Sequence, residues 1–285
     1  MSETLSVLLD RLAQDRSLED PRRLRERIQT LDRLEHLRDF LPDAPSTAPL
    51  RERLDAVVAR LESTNDRLYA QLRANIRSGD TRGLREWMMP SESAADGVRG
   101  EAYDHLDALL GGVLQLSEPS GEVAPPSPEM VFYQPTPARH IVELIGRLGL
   151  SERDVLIDLG SGLGHVPLLA SLLTPARCVG VELEPAYVAS ARRCAEDLRL
   201  AKVSFVQADA RDADLSQATV FYLYTPFTGS VMARMLELIH AQARQREIRV
   251  CSLGPCTQVL AGQPWLRGDG APQYPDQVAL FRPIA

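Results

Sequence analysis

The spacing of hydrophobic residues changes along the chain and divides it into two parts. Up to about residue 116, leucines recur every three or four positions, which is the spacing of one face of an α-helix. The clearest runs are Leu5, Leu8, Leu9 and Leu12, and further on Leu50, Leu54, Val57, Leu61, Leu68, Leu72 and Ile76. We therefore predict that residues 1–116 form an all-α N-terminal domain.

A proline-rich segment follows the helical part. Residues 117–129 contain four prolines in 13 positions. Proline fixes φ and has no backbone N–H, so this segment can sustain neither a helix nor a sheet ladder. We predict a domain linker there.

From residue 130 onward, short apolar runs alternate with helical patterns. The runs predict strands at 155–160, 177–182, 203–209, 218–224 and 248–254, with helices around 165–174, 185–199 and 229–245. Two extended pieces near 264–268 and 277–283 predict a closing antiparallel hairpin. The predicted fold of residues 130–285 is α/β, a doubly wound and mostly parallel seven-stranded sheet with a C-terminal antiparallel hairpin.

Composition and charge narrow the class of protein. The chain has 285 residues, of which 44% are hydrophobic and 25% charged, as in ordinary soluble globular proteins. Its net charge is −7, and neither the first 100 residues nor the rest is basic. The overall charge therefore does not favour a surface that binds the phosphate backbone of a nucleic acid. We see no membrane span and no leader segment, and the four cysteines form no CxxC pair. We expect a cytoplasmic protein with reduced thiols and no metal site.

The strongest candidate chemistry lies in the stretch Val155–Val166, which is typical of a buried strand, a tight turn and the start of a helix. Gly160, Gly162 and Gly164 occupy alternate positions of that turn. Glycine tolerates positive φ and lets a ligand approach the backbone closely. The following helix would point free N–H groups and its positive end at that ligand. The stretch predicts a binding site for a nucleotide-like molecule.

Two families of ligand are compatible with such a turn. The dinucleotide pattern G-x-G-x-x-G requires a third glycine where this chain has His165, although an NAD-dependent oxidoreductase stays an alternative. Asp158 lies two positions before Gly160 and completes the pattern D-x-G-x-G-x-G. This pattern resembles the first motif of class I S-adenosylmethionine-dependent methyltransferases, and the resemblance extends over residues 130–285.

The resemblance implies S-adenosylmethionine as cofactor and assigns residues to it. Glu182, at the end of the second strand, matches the acid that accepts both ribose hydroxyls, whereas Glu184 reads better as a helix cap. Asp209 matches the residue that accepts from the adenine amino group, with Ala210 beside the ring. The segment 133–137 matches one placed over the methionine end. The implied cofactor-binding residues are Tyr133, Thr136, Asp158, Gly160, Ser161, Gly162, Gly164, Glu182, Asp209 and Ala210.

The fourth strand leads into Tyr224-Thr-Pro-Phe227, where members of this family place groups that contact the methyl acceptor. It distantly resembles the N/D-P-P-Y/F motif of amino-group methyltransferases, with Tyr for Asn or Asp and Thr for the first Pro. The resemblance implies Tyr224, Pro226 and Phe227 as candidate catalytic residues, although aromatic residues here are equally typical of the sheet core. For His165 we expect a contact with the cofactor or the turn rather than general-base catalysis.

The acceptor is left open by the sequence. The stretches around Tyr133 and Asp158 also resemble those of seven-strand protein-lysine methyltransferases, so a protein lysine and a small molecule are both compatible acceptors. Nucleic acid ranks third because no basic stripe is present. A non-catalytic S-adenosylmethionine-binding or interaction module is the alternative from another class. The N-terminal helices are candidates for a substrate-recognition cap, a lid or a homodimer contact.

Overall fold

The structure is a computed structural model, and it describes residues 2–89, 103–116, 129–270 and 274–284. The chain divides into two compact units, Met1–Ala74 with Asp104–Val113, and Asn75–Tyr103 with Leu114–Ala285. The predicted linker 117–129 lies outside the described residues except for Glu129. The domain boundaries given by the sequence therefore stay predictions.

The described N-terminal residues are helical, as predicted. The helices are α1 Ser2–Gln14, α2 Leu24–Asp39, α3 Ala48–Arg77, α4 Arg82–Met88 and α5 His105–Leu114. Short 3-10 turns at Ser17–Glu19 and Pro21–Arg23 connect α1 to α2. The leucines at helical spacing do form the core, which includes Leu5, Leu9, Leu12, Leu34, Leu54, Val57 and Leu61.

A buried arginine fixes the connection between α1 and α2. Arg27 is fully buried, and its guanidinium donates to Asn65 Oδ1 at 2.7 Å and to the carbonyl oxygens of Leu18 (3.0 Å) and Asp20 (2.6 Å). A buried charge is tolerated only when such acceptors satisfy its N–H groups. The contacts tie the two 3-10 turns to α2 and α3.

The second unit contains the predicted seven-stranded sheet. Its strands are β1 Val155–Leu159, β2 Arg177–Glu182, β3 Val203–Gln207, β4 Val220–Tyr224, β5 Arg249–Leu253, β6 Leu266–Gly268 and β7 Ala279–Pro283. Their order is β3-β2-β1-β4-β5-β7-β6. The pairs from β3 to β5 are parallel, and β7 is antiparallel to β5 and β6. The doubly wound fold with a C-terminal hairpin is confirmed.

Helices connect these strands at nearly the predicted bounds. They are α6 Ala138–Leu148, α7 His165–Leu173, α8 Pro185–Asp197, α9 Gly229–Ala243 and α10 Cys256–Ala261. Helix α10 was not predicted, because six residues are too few to show a helical period. The chain runs outward from β1 to β3 and then returns to β4 on the other side of β1. This reversal opens a crevice at the carboxyl ends of β1 and β4.

Three further properties concern the described residues only. Within the ranges given above, no helix is both long and apolar enough to cross a membrane. The same residues contain no cluster of side chains that would hold a metal ion. All four cysteines are buried free thiols.

Candidate functional site

A cleft of about 390 Å³ opens at the carboxyl ends of β1, β2 and β4. Residues 130–136, which precede α6, form one of its walls. Asp158, Gly160 and Ser161 contribute the β1 side, and Glu182 the β2 side. The structure therefore brings together most of the residues that the sequence assigned to a cofactor.

The glycine turn has the predicted backbone conformation, and neighbouring side chains give a second reason why its residues are glycines. Gly160, Gly162 and Gly164 have φ values of 79°, 52° and 84°, which confirms the left-handed conformation. An added Cβ would meet Pro226 at 2.3 Å from Gly160, Tyr133 at 2.1 Å from Gly162 and Phe205 at 2.5 Å from Gly164. The space beside each glycine is thus filled by a protein side chain. The close approach that the sequence attributed to a ligand is here an approach of the chain to itself.

Glu182 connects the turn to the end of β2. Its Oε2 accepts from the Gly162 N–H and its Oε1 from the Glu184 N–H, both at 2.8 Å. Each carboxylate oxygen keeps a second lone pair, and the residue lines the cleft. Glu184 accepts from the Ala186 N–H at 3.3 Å as the N-cap of α8, which confirms its predicted role as a cap.

Asp158 and Tyr222 lie side by side at the bottom of the cleft, as register partners on β1 and β4. Asp158 is only 4% exposed, and burial, with the charge of Glu182 as a second cause, raises the pKa of its carboxyl well above the ordinary value. Burial likewise raises the pKa of Tyr222, whose hydroxyl lies 3.1 Å from Thr136 Oγ1. The cleft therefore holds a carboxyl that would ionise readily only beside a compensating cation.

Ser161 presents an unsatisfied polar atom at the same place. Its Oγ is buried, lacks a hydrogen-bond partner among the described residues, and lies 2.6 Å from where a Cβ of Gly180 would be. Buried hydroxyl groups without a partner are rare. Ser161 also lines the cleft, so a ligand atom is the natural partner for its hydroxyl.

Tyr133 covers the turn from the opposite wall. Its hydroxyl lies 3.1 Å from Nδ1 of His165, and its ring lies 5.0 Å from that of Tyr187. Burial lowers the pKa of His165 to about 4, so the imidazole is neutral at pH 7. Sequence reasoning did not select Tyr187. The available signal was its position in the first turn of the helix that Glu184 caps.

Some predicted residues lie outside the cleft lining. The Arg211 guanidinium donates to both oxygens of Asp209, and the Arg211 N–H also donates to it at 2.9 Å. These contacts, the side-chain bond first, hold the pKa of Asp209 below its ordinary value and commit the carboxylate to a 3-10 turn that begins at Ala210. The structure does not bring Asp209 or Ala210 into the cleft. Gly162 and Gly164 lie behind its surface rather than on it.

Of the candidate catalytic residues in the loop after β4, two line the cleft and one does not. Tyr224 and Pro226 line the cleft, whereas Phe227 does not and is 2% exposed in the sheet core. Phe227 pairs instead with Met130 as an antiparallel bridge. The structure thus does not place Phe227 where it would contact an acceptor, because the chain turns inward after Pro226.

Thr225, which the sequence did not single out, has an unusual backbone in that loop. Its φ of 39° is rare for a β-branched residue, and it lines the cleft. The Thr225 N–H donates to Cys256 Sγ at 3.4 Å, and the Cys256 N–H donates to Thr225 Oγ1 at 3.0 Å. Such backbone strain persists only when surrounding contacts hold it, and it clusters at functional sites.

Comparison with known proteins bears on the same segment. Residues 156–246, from β1 to just beyond α9, match the model of a family described as a methyltransferase domain. The match includes the glycine turn, Glu182 and the β4 loop. The chain contains a class I S-adenosylmethionine-dependent methyltransferase domain. No curated protein matches the chain.

Several solved methyltransferase structures are similar to parts of the chain. An RNA methyltransferase from Salinibacter ruber, in complex with S-adenosyl-L-homocysteine, is 29% identical, with 52% of this chain and 92% of that chain covered and a TM-score of 0.43. A precorrin-6y C5,15-methyltransferase from Geobacter metallireducens is 20% identical, with coverage of 52% and 89% and a TM-score of 0.41. A SAM-dependent methyltransferase from Aquifex aeolicus is 13% identical, with coverage of 50% and 88% and a TM-score of 0.40.

The chemistry of the cleft fits the methyltransferase cofactor. S-Adenosylmethionine is a sulfonium cation, and the described residues of the cleft lining include three acidic side chains, of which Asp158 ionises beside a cation, but no Lys or Arg. Glu182 has lone pairs for the ribose hydroxyls, and Ser161 has a hydroxyl that lacks a partner. When bound, the cofactor supplies an electrophilic methyl group. The protein binds it, orients the acceptor and excludes water.

Proposed function

We propose that this methyltransferase transfers the methyl group to an amine nitrogen, carried by a small molecule or by a protein lysine. The observation that supports this proposal is the charge of the cleft. Glu182 and Glu184 line it, Asp158 adds a carboxyl that ionises beside a cation, and none of its described lining residues is a Lys or an Arg. An acceptor that brings phosphate or carboxylate groups would be repelled there, whereas an ammonium group would be attracted. Its nitrogen has the lone pair needed to accept the methyl group once the ammonium has released a proton to solvent.

The aromatic lining supports the same class of acceptor. Four tyrosines line the cleft, namely Tyr133, Tyr187, Tyr222 and Tyr224. Tyrosine rings attract ammonium groups through their negative faces, and their hydroxyls accept amine N–H groups. Tyr224 and Pro226 belong to the loop whose sequence resembles the motif of amino-group methyltransferases. These two residues are our candidates for contact with the acceptor.

The rim of the cleft is apolar. Val131, Phe132 and Leu183 are 44%, 81% and 49% exposed, and all three belong to the cleft lining. An acceptor whose amine is attached to an apolar body, or is flanked by apolar protein side chains, would bury this surface on binding. The rim is compatible with both a small amine and a lysine on a protein.

Cofactor binding is the first experiment. Calorimetric titration with S-adenosylmethionine and S-adenosylhomocysteine should show one site, which Asp158→Ala and Glu182→Ala should each weaken strongly. Glu237→Ala on the exposed face of α9 is a matched control and should bind normally. Undiminished binding by both site variants would mean that the site is elsewhere, and no binding by wild type at millimolar cofactor would overturn its assignment.

The acceptor is tested separately by transfer of radiolabelled methyl groups into a fractionated cell extract. We expect acid-stable label in amine-containing small molecules or in protein hydrolysed to methyl-lysine. The Glu182→Ala enzyme serves as the blank. Label confined to nucleic acid, or to methyl esters that base removes, would contradict an amine acceptor.

A further inference from the structure

One wall of the cofactor cleft is a segment without regular secondary structure. We call residues 129–136 the strap. Residues 130–136 are seven consecutive residues that all line the cleft, and they belong to no helix or strand apart from the isolated bridge at Met130. A segment of this kind has no ladder of its own, so its position depends on the contacts that it makes with the rest of the fold.

The first residue of the strap makes the most concentrated set of these contacts. Glu129 accepts at Oε1 from the Ser230 N–H (2.9 Å), and at Oε2 from the Ser230 hydroxyl (2.7 Å) and the Val231 N–H (3.3 Å). Its main-chain oxygen accepts from the Thr228 N–H at 2.8 Å. Together these contacts attach the beginning of the strap to the first turn of α9.

The start of α9 is shaped to receive that carboxylate. Its N-cap residue Thr228 makes no side-chain capping bond. Glu129, which lies 101 positions before Ser230 in the sequence, caps the helix instead. Gly229 has a φ of 56°, and an added Cβ would lie 2.3 Å from Glu129 Oε1. A helix N-terminus favours a negative group through its free N–H groups and its dipole.

The remaining contacts of the strap join it to the β4 loop, to the glycine turn and to β4. The Val131 N–H donates to the Pro226 oxygen at 3.3 Å. Two residues further on, the ring of Tyr133 fills the space beside Gly162 and its hydroxyl reaches His165. At the end of the strap, the Thr136 hydroxyl lies 3.1 Å from the Tyr222 hydroxyl. The carboxylate of Glu129 is thus four residues from the aromatic ring that covers the glycine turn.

From this arrangement we infer that Glu129 is a positioning residue for cofactor binding. Glu129 is not among the residues that line the cleft, and it holds the strap on α9 so that Tyr133 stays over the turn. Without the carboxylate, a fraction of the molecules would have a displaced strap, and apparent affinity would fall in proportion to that fraction. The inference concerns the cofactor site and does not depend on which acceptor is used.

The test compares Glu129→Ala with wild type in two measurements. Calorimetry should show that the variant binds S-adenosylhomocysteine up to about tenfold more weakly. Loss of a capping carboxylate lowers the equilibrium constant for strap attachment by about that factor, which is the upper limit for the change in affinity. Hydrogen exchange without cofactor should be faster by a similar factor at the Val131 amide. Glu237→Ala, which removes an exposed carboxylate paired with Arg234 on the same helix, should change neither measurement.

A double-variant cycle separates positioning from general stability. In a Tyr133→Ala background, Glu129→Ala should cost less than about twofold in affinity, because the ring that it positions is already gone. A full tenfold loss in that background would overturn the inference, as would wild-type affinity of Glu129→Ala. Wild type that fails to bind S-adenosylhomocysteine would instead overturn the cofactor assignment.

A conservative variant distinguishes loss of the capping contact from misfolding. Glu129→Gln keeps one carbonyl oxygen for the Ser230 N–H but loses the negative charge. Its affinity should lie between those of wild type and Glu129→Ala, with an unchanged melting temperature. If Glu129→Gln binds like wild type while its Val131 amide exchanges fast, the strap does not control affinity and the inference is wrong.

Discussion

Two loops at adjacent strand ends reach the same cleft in different ways. The turn after β1 and the loop after β4 both follow a parallel strand, and both contain residues with positive φ. The β1 turn uses Gly160, Gly162 and Gly164, whereas the β4 loop uses Thr225. The comparison shows that one loop is determined by its own residues and the other by contacts with distant parts of the chain.

The energetics of the two loops differ accordingly. Glycine takes positive φ without steric cost, so the β1 turn stores no backbone strain. A residue with a Cβ pays roughly 1–2 kcal/mol for the same conformation. Thr225 offsets this through Cys256 and through its own hydroxyl, which donates to the Leu253 oxygen at 3.3 Å. Each such bond contributes about 0.5–1.5 kcal/mol, so two or three are sufficient.

The largest effect is expected from Gly162→Ala. The new Cβ would lie 2.1 Å from a ring carbon of Tyr133 at a φ of 52°, so both the backbone and the strap must shift. We expect destabilisation of about 2–4 kcal/mol and at least a tenfold loss of S-adenosylhomocysteine affinity. Thermal unfolding and calorimetric titration measure the two consequences.

The matched control is Gly146→Ala in α6. An added Cβ there meets nothing within 4 Å, and the residue lies inside a helix. Alanine should stabilise that helix by about 0.5–1 kcal/mol. Equal destabilisation by the two substitutions would mean that the glycine turn is no more demanding than an ordinary helical position.

The contrast between the loops also explains what the sequence could predict. The strand bounds, the positive φ values at the glycines and the place of Glu182 follow from local patterns, and the structure agrees with them. The strain at Thr225 leaves no local pattern, because it depends on α10, which comes some 30 residues later. Asp209 shows a different limit, because its pairing with Arg211, only two positions away, competes with the predicted ligand contact.

An intermediate effect is expected from Cys256→Ala, which tests whether α10 holds the β4 loop. The thiol accepts from the Thr225 N–H and approaches the carbonyl oxygens of Leu223 (3.6 Å) and Leu253 (3.4 Å). Its loss should cost about 1–2 kcal/mol of stability. Methyl transfer should fall severalfold, while S-adenosylhomocysteine affinity stays within twofold, because we propose the β4 loop as the contact with the acceptor.

Cys251→Ala provides the comparison for that variant. Cys251 is fully buried on β5, and its truncation removes the same atom, but among the described residues the hydrogen bonds of Thr225 go to Cys256 and Leu253 and not to Cys251. It should lose a similar amount of stability with little change in turnover. If both variants lose turnover equally, the effect of Cys256 is one of stability and not of loop geometry.

The smallest change in stability among the cleft variants, and one of opposite sign to that of Gly162→Ala, is expected from Asp158→Asn. The folded-state pKa of Asp158 is raised by burial and by Glu182, so the folded protein holds a proton that the unfolded chain releases. Wild-type stability therefore falls as pH rises above the ordinary Asp pKa of about 4. Asparagine does not ionise, so the variant should be more stable at neutral pH by about 1 kcal/mol, although it binds S-adenosylmethionine more weakly.

The pH dependence distinguishes this explanation from a packing effect. The melting temperature of Asp158→Asn minus that of wild type should grow from pH 4 to pH 7 without ligand, and it should shrink when the cationic cofactor is present. For Asp154→Asn, at the residue before β1, the same difference should be negative and nearly constant from pH 4 to pH 7. It should become smaller only below about pH 4, because a lowered folded-state pKa contributes stability that is lost as pH falls. Burial raises the Asp154 pKa, but hydrogen bonds from Ser151 and the charge of Arg249 outweigh this and lower it. A difference in melting temperature between Asp158→Asn and wild type that does not change with pH would contradict this explanation. It would mean that ionisation of the Asp158 carboxyl does not destabilise the folded protein.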